Sequence, residues 1–375
     1  MLVFVLVCDN INNIKYQKEM SNAMKRPYVV TAAILTTDKC SAACKECCFQ
    51  CTPKNNNRLS LEEMKLFIDE LVNDFHEVNS VVFTGGECFL LNEDLYSIIE
   101  YSTSKGLATR CVTNGFWGKD KNRALETVKK LKECGLIELN FSTGDNHQEW
   151  VPFQNIVNAS LAALQFDISV VISVENHSSA VFKIEDVYKN KEIEDFMKKN
   201  EKPELFSVIS SLWIPFHKDV SYSYNFKIDK SEEKQESVIR GCDSILEYIG
   251  LNPKNEVISC CGLTISYIDS MNLGKLNDNS LLSLYKEQLD DFLKIWIWVD
   301  GTEYIYNKIT TSLNIEKNEN LVHPCQFCAE IYNNKLLTSY FEQIKDEDVL
   351  EVLNKYHVKL KTINKSNLKG SVLNG

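Results

Sequence analysis

The stretch YVVTAAILTTDKCSAACKEC, residues 28–47, reads as a buried strand that leads directly into a cysteine-rich loop. The strand part is rich in β-branched and aliphatic side chains, which favour burial on both faces. Three cysteines then follow with the spacing Cys40-x3-Cys44-x2-Cys47. Three thiolates on one short loop can bind three irons of a 4Fe-4S cube and leave the fourth iron open. The stretch therefore predicts a catalytic metal centre at a strand end.

The ligand register of this loop has an alternative, because Cys44, Cys48 and Cys51 show the same spacing. We favour the earlier set, since it lies closer to the end of the predicted strand. A structural zinc site or unliganded thiols are the other readings of the cysteines. The chain has 14 cysteines and no secretion signal, and thiols in a reducing cytoplasm bind metals or act in catalysis. We therefore expect a cytoplasmic protein with metal-bound thiolates.

Strands and helices are predicted to alternate from residue 28 to about 215, a pattern typical of a parallel α/β sheet. The strands are expected at 28–37, 80–84, 108–113, 136–142, 167–175 and 204–214. The helices are expected at about 60–76, 92–105, 120–134, 150–165 and 185–199. The first helix opens with Ser60 and Glu63, a capping-box pair. Six units fall short of the eight of a closed barrel, so we predict a partial (β/α)6 TIM-type barrel with its site at the carboxyl ends of the strands.

Polar and charged stretches divide the chain into predicted units. These are a poorly ordered N-terminal segment at 1–26, the partial barrel at 27–215, a connector at 216–240, a smaller cysteine-rich domain at 241–345, and a C-terminal helix and tail at 346–375. Further helices are expected at about 280–295 and 346–356. No membrane segment is expected, because the apolar start of the chain is far shorter than the roughly 20 residues of a membrane span. A net charge of −11 disfavours general nucleic-acid binding, which normally requires an excess of Lys and Arg.

A second motif, Phe83-Thr84-Gly85-Gly86-Glu87, follows the second predicted strand. Two glycines let the backbone approach a ligand closely, and the glutamate can accept hydrogen bonds from an ammonium group. Alone, the motif also fits a Gly-Gly turn with a solvated glutamate. A cysteine triplet after the first strand combined with Gly-Gly-Glu after the second is much more specific.

This combination resembles the radical S-adenosylmethionine (radical SAM) superfamily. The resemblance covers residues 28 to about 215, including Thr113-Asn114-Gly115 after the third strand. It implies a 4Fe-4S cluster on Cys40, Cys44 and Cys47, with S-adenosylmethionine on the open iron. It also implies that the methionyl ammonium is contacted by Gly85, Gly86 and Glu87. The reaction it implies is reductive cleavage of S-adenosylmethionine to a 5′-deoxyadenosyl radical, which abstracts a hydrogen atom from the substrate.

One position departs from the family pattern. The residue before the third cysteine is often aromatic in the family and is Glu46 here. Adenine packing would then come from another residue, such as Phe49.

A polar run follows the fourth predicted strand, at the expected mouth of the barrel. Ser142 and Asp145 could contact the cosubstrate or the substrate, and His147 could serve in proton transfer or orientation. We take Ser142 as a candidate cofactor-binding residue and His147 and Asp145 as candidate catalytic residues. The alternative is that Asp145 or Asn146 caps the following helix. A similar position after the fifth strand is occupied by Glu175, Asn176 and His177.

The late cysteines predict a second metal site, with ligands Cys242, Cys260, Cys325 and Cys328. Four thiolates can hold a closed 4Fe-4S cluster or a zinc ion, and buried thiols are the plain alternative. The arrangement is similar to the SPASM or twitch auxiliary-cluster extensions of radical SAM enzymes. In those extensions a glycine stands where this chain has Asn255, and that spacing favours Cys260 over Cys261. We assign no role to the isolated Cys8, Cys88, Cys111 and Cys134, although Cys88 follows the Gly-Gly-Glu motif.

Family members with such extensions commonly modify ribosomally made peptides or proteins, by crosslinking, epimerisation or oxidation. The resemblance thus implies a peptide substrate and an electron donor such as flavodoxin or ferredoxin. Many of these enzymes have a leader-binding winged-helix domain, for which the segment before the first strand is too short. A small-molecule substrate is the second reading. A non-catalytic zinc-binding interaction protein is the third, but it leaves the Gly-Gly-Glu motif unexplained.

Overall fold

The computed structural model describes residues 28–199, 202–214 and 241–372, with side chains up to residue 363 in the last range. The predicted N-terminal segment and connector lie outside the described residues. The described part of the chain forms a nine-stranded sheet. Its strands are β1 (Thr31–Leu35), β2 (Ser80–Thr84), β3 (Ala108–Thr113), β4 (Glu138–Thr143), β5 (Ser169–Asn176), β6 (Phe206–Leu212), β7 (Tyr248–Leu251), β8 (Glu256–Ile258) and β9 (Asn272–Lys275).

The α-helices fall into two groups, before and after the undescribed segment that follows β6. The first group is α1 (Leu61–Asp74), α2 (Glu93–Ser104), α3 (Lys121–Glu133), α4 (Asp145–Gln148), α5 (Phe153–Gln165), α6 (Ile184–Lys189) and α7 (Lys191–Lys199). The second group is α8 (Leu281–Gln288), α9 (Phe292–Asp300), α10 (Thr302–Leu313), α11 (Pro324–Asn333), α12 (Lys335–Thr338) and α13 (Asp346–Val372). Among the described residues, none of these helices combines the length and apolar character needed to span a bilayer.

The predicted alternation of strands and helices is confirmed. The strands β6-β5-β4-β3-β2-β1 lie in that order, and each neighbouring pair is parallel. Helix α1 begins with the predicted capping box, in which the Ser60 hydroxyl accepts from the backbone N–H of Glu63 at 3.2 Å. The Glu63 carboxylate in turn accepts from the backbone N–H of Ser60 at 2.8 Å. These reciprocal bonds satisfy two backbone donors that a helix start leaves unpaired.

Some helix boundaries differ from the prediction for local reasons. The helix predicted at 185–199 is two helices, because the Asn190 side chain accepts two backbone N–H bonds at 3.1 and 3.3 Å and starts α7. The helix predicted near 280–295 is divided in the same way by Asp291, whose side chain caps α9. The last helix, α13, extends well beyond the predicted 346–356. Short polar side chains at a cap favour ending one helix and starting another.

Three strands that the sequence did not predict extend the sheet beyond β1. Strand β7 pairs in parallel with β1, from Thr31 opposite Tyr248 to Ile34 opposite Leu251. Strands β8 and β9 then continue the sheet in antiparallel order. The predicted barrel and the predicted cysteine-rich domain are therefore joined by one continuous sheet.

The two faces of the barrel strands differ in character. On β3 and β4 burial alternates along the chain, so Cys111 and Phe141 lie in the apolar core. The intervening Arg110 and Ser142 face a central cavity. Because successive side chains of a strand point to opposite faces, the same strands supply both the core and the site.

Candidate active site

A cavity of about 750 Å³ lies inside the parallel part of the sheet, among the strand ends. Seven of the proposed ligand, cofactor-binding and catalytic residues line it, namely Cys40, Cys44, Cys47, Gly85, Gly86, Ser142 and His147. Phe49 and Glu175, which the sequence also singled out, line it as well. Cys48 and Cys51 line it as well, so the position of the loop leaves the register of the ligands open. Parallel α/β sheets bind their ligands at this edge. The cavity is therefore the candidate active site.

The Gly-Gly pair lets two backbone segments meet at the base of the cysteine loop. The backbone N–H of Gly86 donates to Thr37 O at 2.6 Å, and that of Glu87 donates to Lys39 O at 2.9 Å. A Cβ atom added to Gly86 would lie 2.2 Å from Lys39 O, which is a severe clash. Gly85 has a φ of +118°, and its Cβ would lie 2.5 Å from Thr37 O. The motif thus fixes the start of the cysteine loop against the end of β2.

The thiols of the loop already receive hydrogen bonds. The Cys40 sulfur accepts from the Ala42 backbone N–H at 3.4 Å and from Asn114 Nδ2 at 3.6 Å. The Cys47 sulfur accepts from the Cys51 backbone N–H at 3.4 Å. Such bonds stabilise negative charge on sulfur and tune iron–sulfur clusters. The environment of these cysteines therefore suits binding of iron in their thiolate form.

Burial and hydrogen bonding act in opposite directions on these thiols. Burial raises the pKa of Cys40 to about 12 and also raises the pKa of Cys44. The side-chain hydrogen bond with Cys51 is the largest influence on Cys47, and it lowers that pKa to about 6. A bound metal ion deprotonates its thiol ligands, so positive iron would offset the cost of burial.

The cysteine loop offers thiol donors, the ligand type that iron–sulfur clusters bind. Within the described ranges, no three side chains of His, Cys, Asp or Glu converge as they would on one metal ion. A 4Fe-4S cube does not need that convergence, because each thiolate binds a different iron. The fit is thus one of donor type and hydrogen bonding.

Glu87 is fully buried and ties the end of β2 to the end of β3. One carboxylate oxygen accepts from the Phe89 backbone N–H at 3.1 Å and from Thr113 Oγ1 at 2.8 Å. The other accepts from the Asn114 backbone N–H at 2.9 Å. Asn114 in turn donates to Ser41 Oγ at 3.0 Å, which links β3 to the cysteine loop. The predicted contact of Glu87 with a methionyl ammonium stays a prediction. In the structure this carboxylate links the end of β2 to the end of β3 through hydrogen bonds.

We expect Glu87→Gln to flatten the pH dependence of stability. Burial raises the pKa of Glu87 from 4.5 to about 7, so the folded chain holds this proton more tightly than the unfolded chain. The free energy of unfolding should then fall as the pH rises from 4.5 to about 7 and level off above it. Denaturant unfolding of wild type and variant across this range measures the effect.

The control for this prediction is Glu62→Gln, at an exposed position of α1. This substitution should leave the wild-type pH dependence in place. Equal slopes for wild type and Glu87→Gln would contradict the prediction.

His147 is held by a buried glutamate from the neighbouring strand. Glu175, at the end of β5, accepts from the backbone N–H groups of His147 at 2.8 Å and Asn146 at 3.0 Å, and its carboxylate also pairs with His147 Nδ1. Burial acts to raise the pKa of Glu175, but the hydrogen bonds from His147 and Asn146 outweigh it and lower that pKa. A Cβ at Gly144 would lie 2.5 Å from Glu175 Cβ, so glycine is required for this approach. The glutamate therefore orients the imidazole at the cavity wall.

Asp145 has a different environment from His147. Its carboxylate accepts from the backbone N–H groups of Val181 at 2.7 Å and Phe182 at 3.0 Å, which anchors the loop after β5. The alternative that Asp145 or Asn146 caps the following helix is wrong, because both lie inside the short helix α4. The catalytic role of Asp145 stays a prediction, and its contacts are those of a structural residue.

The chain resembles a curated protein over part of its sequence and solved structures over most of its fold. No protein-family model matches the chain. A curated protein of Bacillus subtilis (strain 168), described as "Putative peptide biosynthesis protein YydG", is 29% identical over 153 residues. The match covers 39% of this chain and 47% of YydG, so the chain spans about half the length of this relative.

Two solved structures match over most of their length. Polyhistidine-tagged anSMEcpe with bound AdoMet gives a TM-score of 0.51 at 14% identity, covering 88% of this chain and 99% of that one. Native anSMEcpe with bound AdoMet and Kp18Cys peptide gives a TM-score of 0.52 at 12% identity. This match covers 84% of this chain and 99% of that one. Both are structures of a radical SAM enzyme. The chain has the radical SAM fold. The predicted partial (β/α)6 barrel and the resemblance read from the sequence are thereby confirmed.

The late cysteines gather beside the radical SAM barrel. Cys260 has Cys242 and Cys325 among its electrostatic neighbours. Cys328 has Cys242, Cys260 and Cys325 among its own. A Cβ at Gly262 would lie 3.2 Å from the Cys325 sulfur and 3.5 Å from the Cys260 sulfur, so both thiols face this glycine. Their grouping supports the predicted second ligand set.

Cys261 takes a different position in the radical SAM fold. It lines the active-site cavity, together with Leu263 and His323 from the same region of the chain. Cys261 also has Cys325 and Cys242 among its electrostatic neighbours, so the choice of Cys260 over Cys261 as the ligand stays a prediction. Cys88, by contrast, is buried in the core, and its thiol donates to Val112 O at 3.4 Å.

Sequence reasoning missed three contributors to the cavity wall of this radical SAM fold. Asn114 was noticed only as part of a common segment, and Cys261 only as a competing ligand. His323 was not noticed at all. Its Nδ1 accepts from the Cys325 backbone N–H at 3.1 Å and caps α11. Histidine is not a preferred N-cap residue, so a His directly before Pro-Cys was the signal that could have drawn attention to it.

Proposed function

We propose that the chain is a radical SAM enzyme whose catalytic 4Fe-4S cluster is held by Cys40, Cys44 and Cys47. The observation that carries this proposal is that these cysteines and the Gly-Gly pair line one cavity of the radical SAM fold. When bound, the cluster supplies the electron that cleaves S-adenosylmethionine to methionine and a 5′-deoxyadenosyl radical, which removes a hydrogen atom from the substrate.

The protein's own residues position and enclose the reactants. Asn114 donates to the Cys40 sulfur and holds the cysteine loop against β3. Ser142 and His147 offer polar groups at the cavity wall, and Glu175 holds the imidazole in one orientation. Prearranged groups of this kind lower the cost of aligning reactants in the transition state.

The late cysteines form the proposed auxiliary site. Cys242, Cys260, Cys325 and Cys328 supply four thiolates, as a closed cluster requires. Burial raises the pKa of each of these thiols, so a positively charged metal core would stabilise their thiolate forms. A SPASM-like or twitch-like 4Fe-4S cluster is our proposal for this site.

The proposed substrate is a ribosomally made peptide or protein. The support is the description of YydG as a peptide biosynthesis protein and the peptide in the anSMEcpe structure. Cys261, Leu263 and His323 place part of the C-terminal region at the cavity, beside the proposed reacting centre. Crosslinking, epimerisation and oxidation are all compatible with this arrangement. The proposed electron donor is a flavodoxin or ferredoxin.

A peptide encoded by a short reading frame beside the gene would test the substrate class. We expect the reconstituted protein, S-adenosylmethionine and a reductant to change the mass or the chromatographic retention of this peptide. The Cys44→Ala variant is the control and should leave the peptide unchanged. Formation of 5′-deoxyadenosine with an unaltered peptide would favour a small-molecule substrate.

A further inference from the structure

The hydroxyl of Tyr332 is buried next to the proposed auxiliary site. Cys325, Cys328 and Tyr332 lie on α11 at spacings of three and seven residues, which places them on one helix face. The Tyr332 oxygen is buried, and no hydrogen-bond partner for it is found among the described residues. Asp291, Cys328 and Cys260 are near enough to interact with it electrostatically. Burying a hydroxyl without a hydrogen-bond partner costs free energy of folding. A hydrogen-bond acceptor bound at the auxiliary site would explain why the Tyr332 hydroxyl is buried there.

A buried ammonium group approaches the same sulfurs from α9. The Lys294 side chain is 3% exposed, and its Nζ donates to Ser270 O at 2.9 Å. The nearest carboxylate oxygen belongs to Asp291 and is 3.9 Å away. Cys260 and Cys328 are among its electrostatic neighbours. A buried charge of this kind requires compensation, and besides the ion pair with Asp291 the acidic groups that interact with it are Cys260, Cys328 and Glu287.

A four-thiolate cluster would meet both requirements. A 4Fe-4S cube with four thiolate ligands has a net negative charge, and reduction adds one more negative charge. Its sulfurs accept hydrogen bonds, and such bonds together with nearby charges set the reduction potential of a cluster.

We propose that Tyr332 donates a hydrogen bond to a sulfur of the auxiliary cluster, and that Lys294 stabilises its reduced form, so that both residues raise its reduction potential. This inference rests on the auxiliary cluster of the proposed function. Both are positioning residues for a redox group, not catalytic residues. A raised potential suits a cluster that accepts an electron from a substrate-derived radical.

The test isolates the auxiliary cluster in the full-length chain. In a Cys40→Ala, Cys44→Ala, Cys47→Ala background, iron and sulfide reconstitution leaves one cluster. Its potential is then measured by electron paramagnetic resonance during titration with dithionite. Lys294→Met should reduce the ratio of reduced to oxidised cluster at a given potential about tenfold. For a one-electron couple this corresponds to a reduction potential lower by about 59 mV. Tyr332→Phe should cause a smaller shift in the same direction.

A matched control is Tyr356→Phe, which removes another phenol hydroxyl from a ring packed on Trp298. This variant should leave the potential unchanged. The inference is overturned if the second cluster is present and neither Lys294→Met nor Tyr332→Phe shifts its potential. Absence of a second cluster from the wild type, shown by iron and sulfide content, would instead overturn the proposed auxiliary site and this inference with it.

The metal-free protein provides a second readout. Without a cluster, Tyr332→Phe removes only an unpaired buried hydroxyl, so the melting temperature should be unchanged or higher. With the cluster bound, the same substitution should speed cluster loss on exposure to a chelator. A lower melting temperature of the metal-free variant would show that the hydroxyl has a protein partner and would contradict the inference.

Discussion

Cleavage of S-adenosylmethionine should vanish in Cys44→Ala and persist in part in Cys325→Ala. Cys44 belongs to both possible ligand sets of the cysteine loop, so its loss leaves either set with two thiolates, too few to hold a cube with one open iron. Cys325 belongs to the proposed auxiliary site, whose loss should stop product formation without preventing reduction of the first cluster. Chromatographic detection of 5′-deoxyadenosine and of modified substrate measures the two effects separately.

Cys134→Ala is the control for these variants, because Cys134 is a partly buried cysteine at the end of α3, away from both groups. It should retain both cleavage and product formation. Equal loss of cleavage in Cys44→Ala and Cys325→Ala would contradict the division of the cysteines into two sites.

The ligand register can be decided by two further variants. If Cys40, Cys44 and Cys47 bind the cluster, Cys40→Ala loses the cluster and Cys51→Ala retains it. The reverse result would establish the shifted set.

Gly86→Ala should prevent the active site from forming. The added methyl group would lie 2.2 Å from Lys39 O and 2.6 Å from Lys39 C, so one of two hydrogen-bonded backbone segments must move. Overpacking of this kind costs about 3 kcal/mol in the free energy of unfolding. Because the displaced segment leads directly into Cys40, the variant should also lose its first cluster. Denaturant unfolding and iron content after reconstitution measure the two losses.

Gly106→Ala is a matched control for this effect. Gly106 has a φ of +86°, and a Cβ there meets nothing within 4 Å. The substitution therefore adds backbone strain of about 1 kcal/mol without a clash. It should lower stability slightly and leave the iron content unchanged. Similar iron loss in both variants would mean that Gly86 has no special role beside the cysteine loop.

The parts of the fold predicted from the sequence are those with local signals. Strands β1 to β6 are short apolar runs between amphipathic stretches, and Ser60 with Glu63 marks a helix start within four residues. The cysteine and Gly-Gly-Glu motifs could likewise be identified from the sequence, because each directly follows a predicted strand.

The parts that were missed depend on contacts distant in sequence. Nothing in the four residues of β7 indicates that Thr31 pairs with Tyr248. The sequence also could not show that Glu87 turns its carboxylate towards Thr113 and Asn114, which belong to the next strand and its loop. Residues such as His323 join the cavity wall only once the C-terminal strands extend the sheet beside β1.

The central claim is tested most directly by anaerobic reconstitution with iron and sulfide, reduction with dithionite in the presence of S-adenosylmethionine, and chromatographic detection of 5′-deoxyadenosine. The proposed function predicts that 5′-deoxyadenosine forms in the wild type and is absent from Cys40→Ala, Cys44→Ala and Cys47→Ala. No 5′-deoxyadenosine from a wild-type protein fully loaded with iron and sulfide would contradict it.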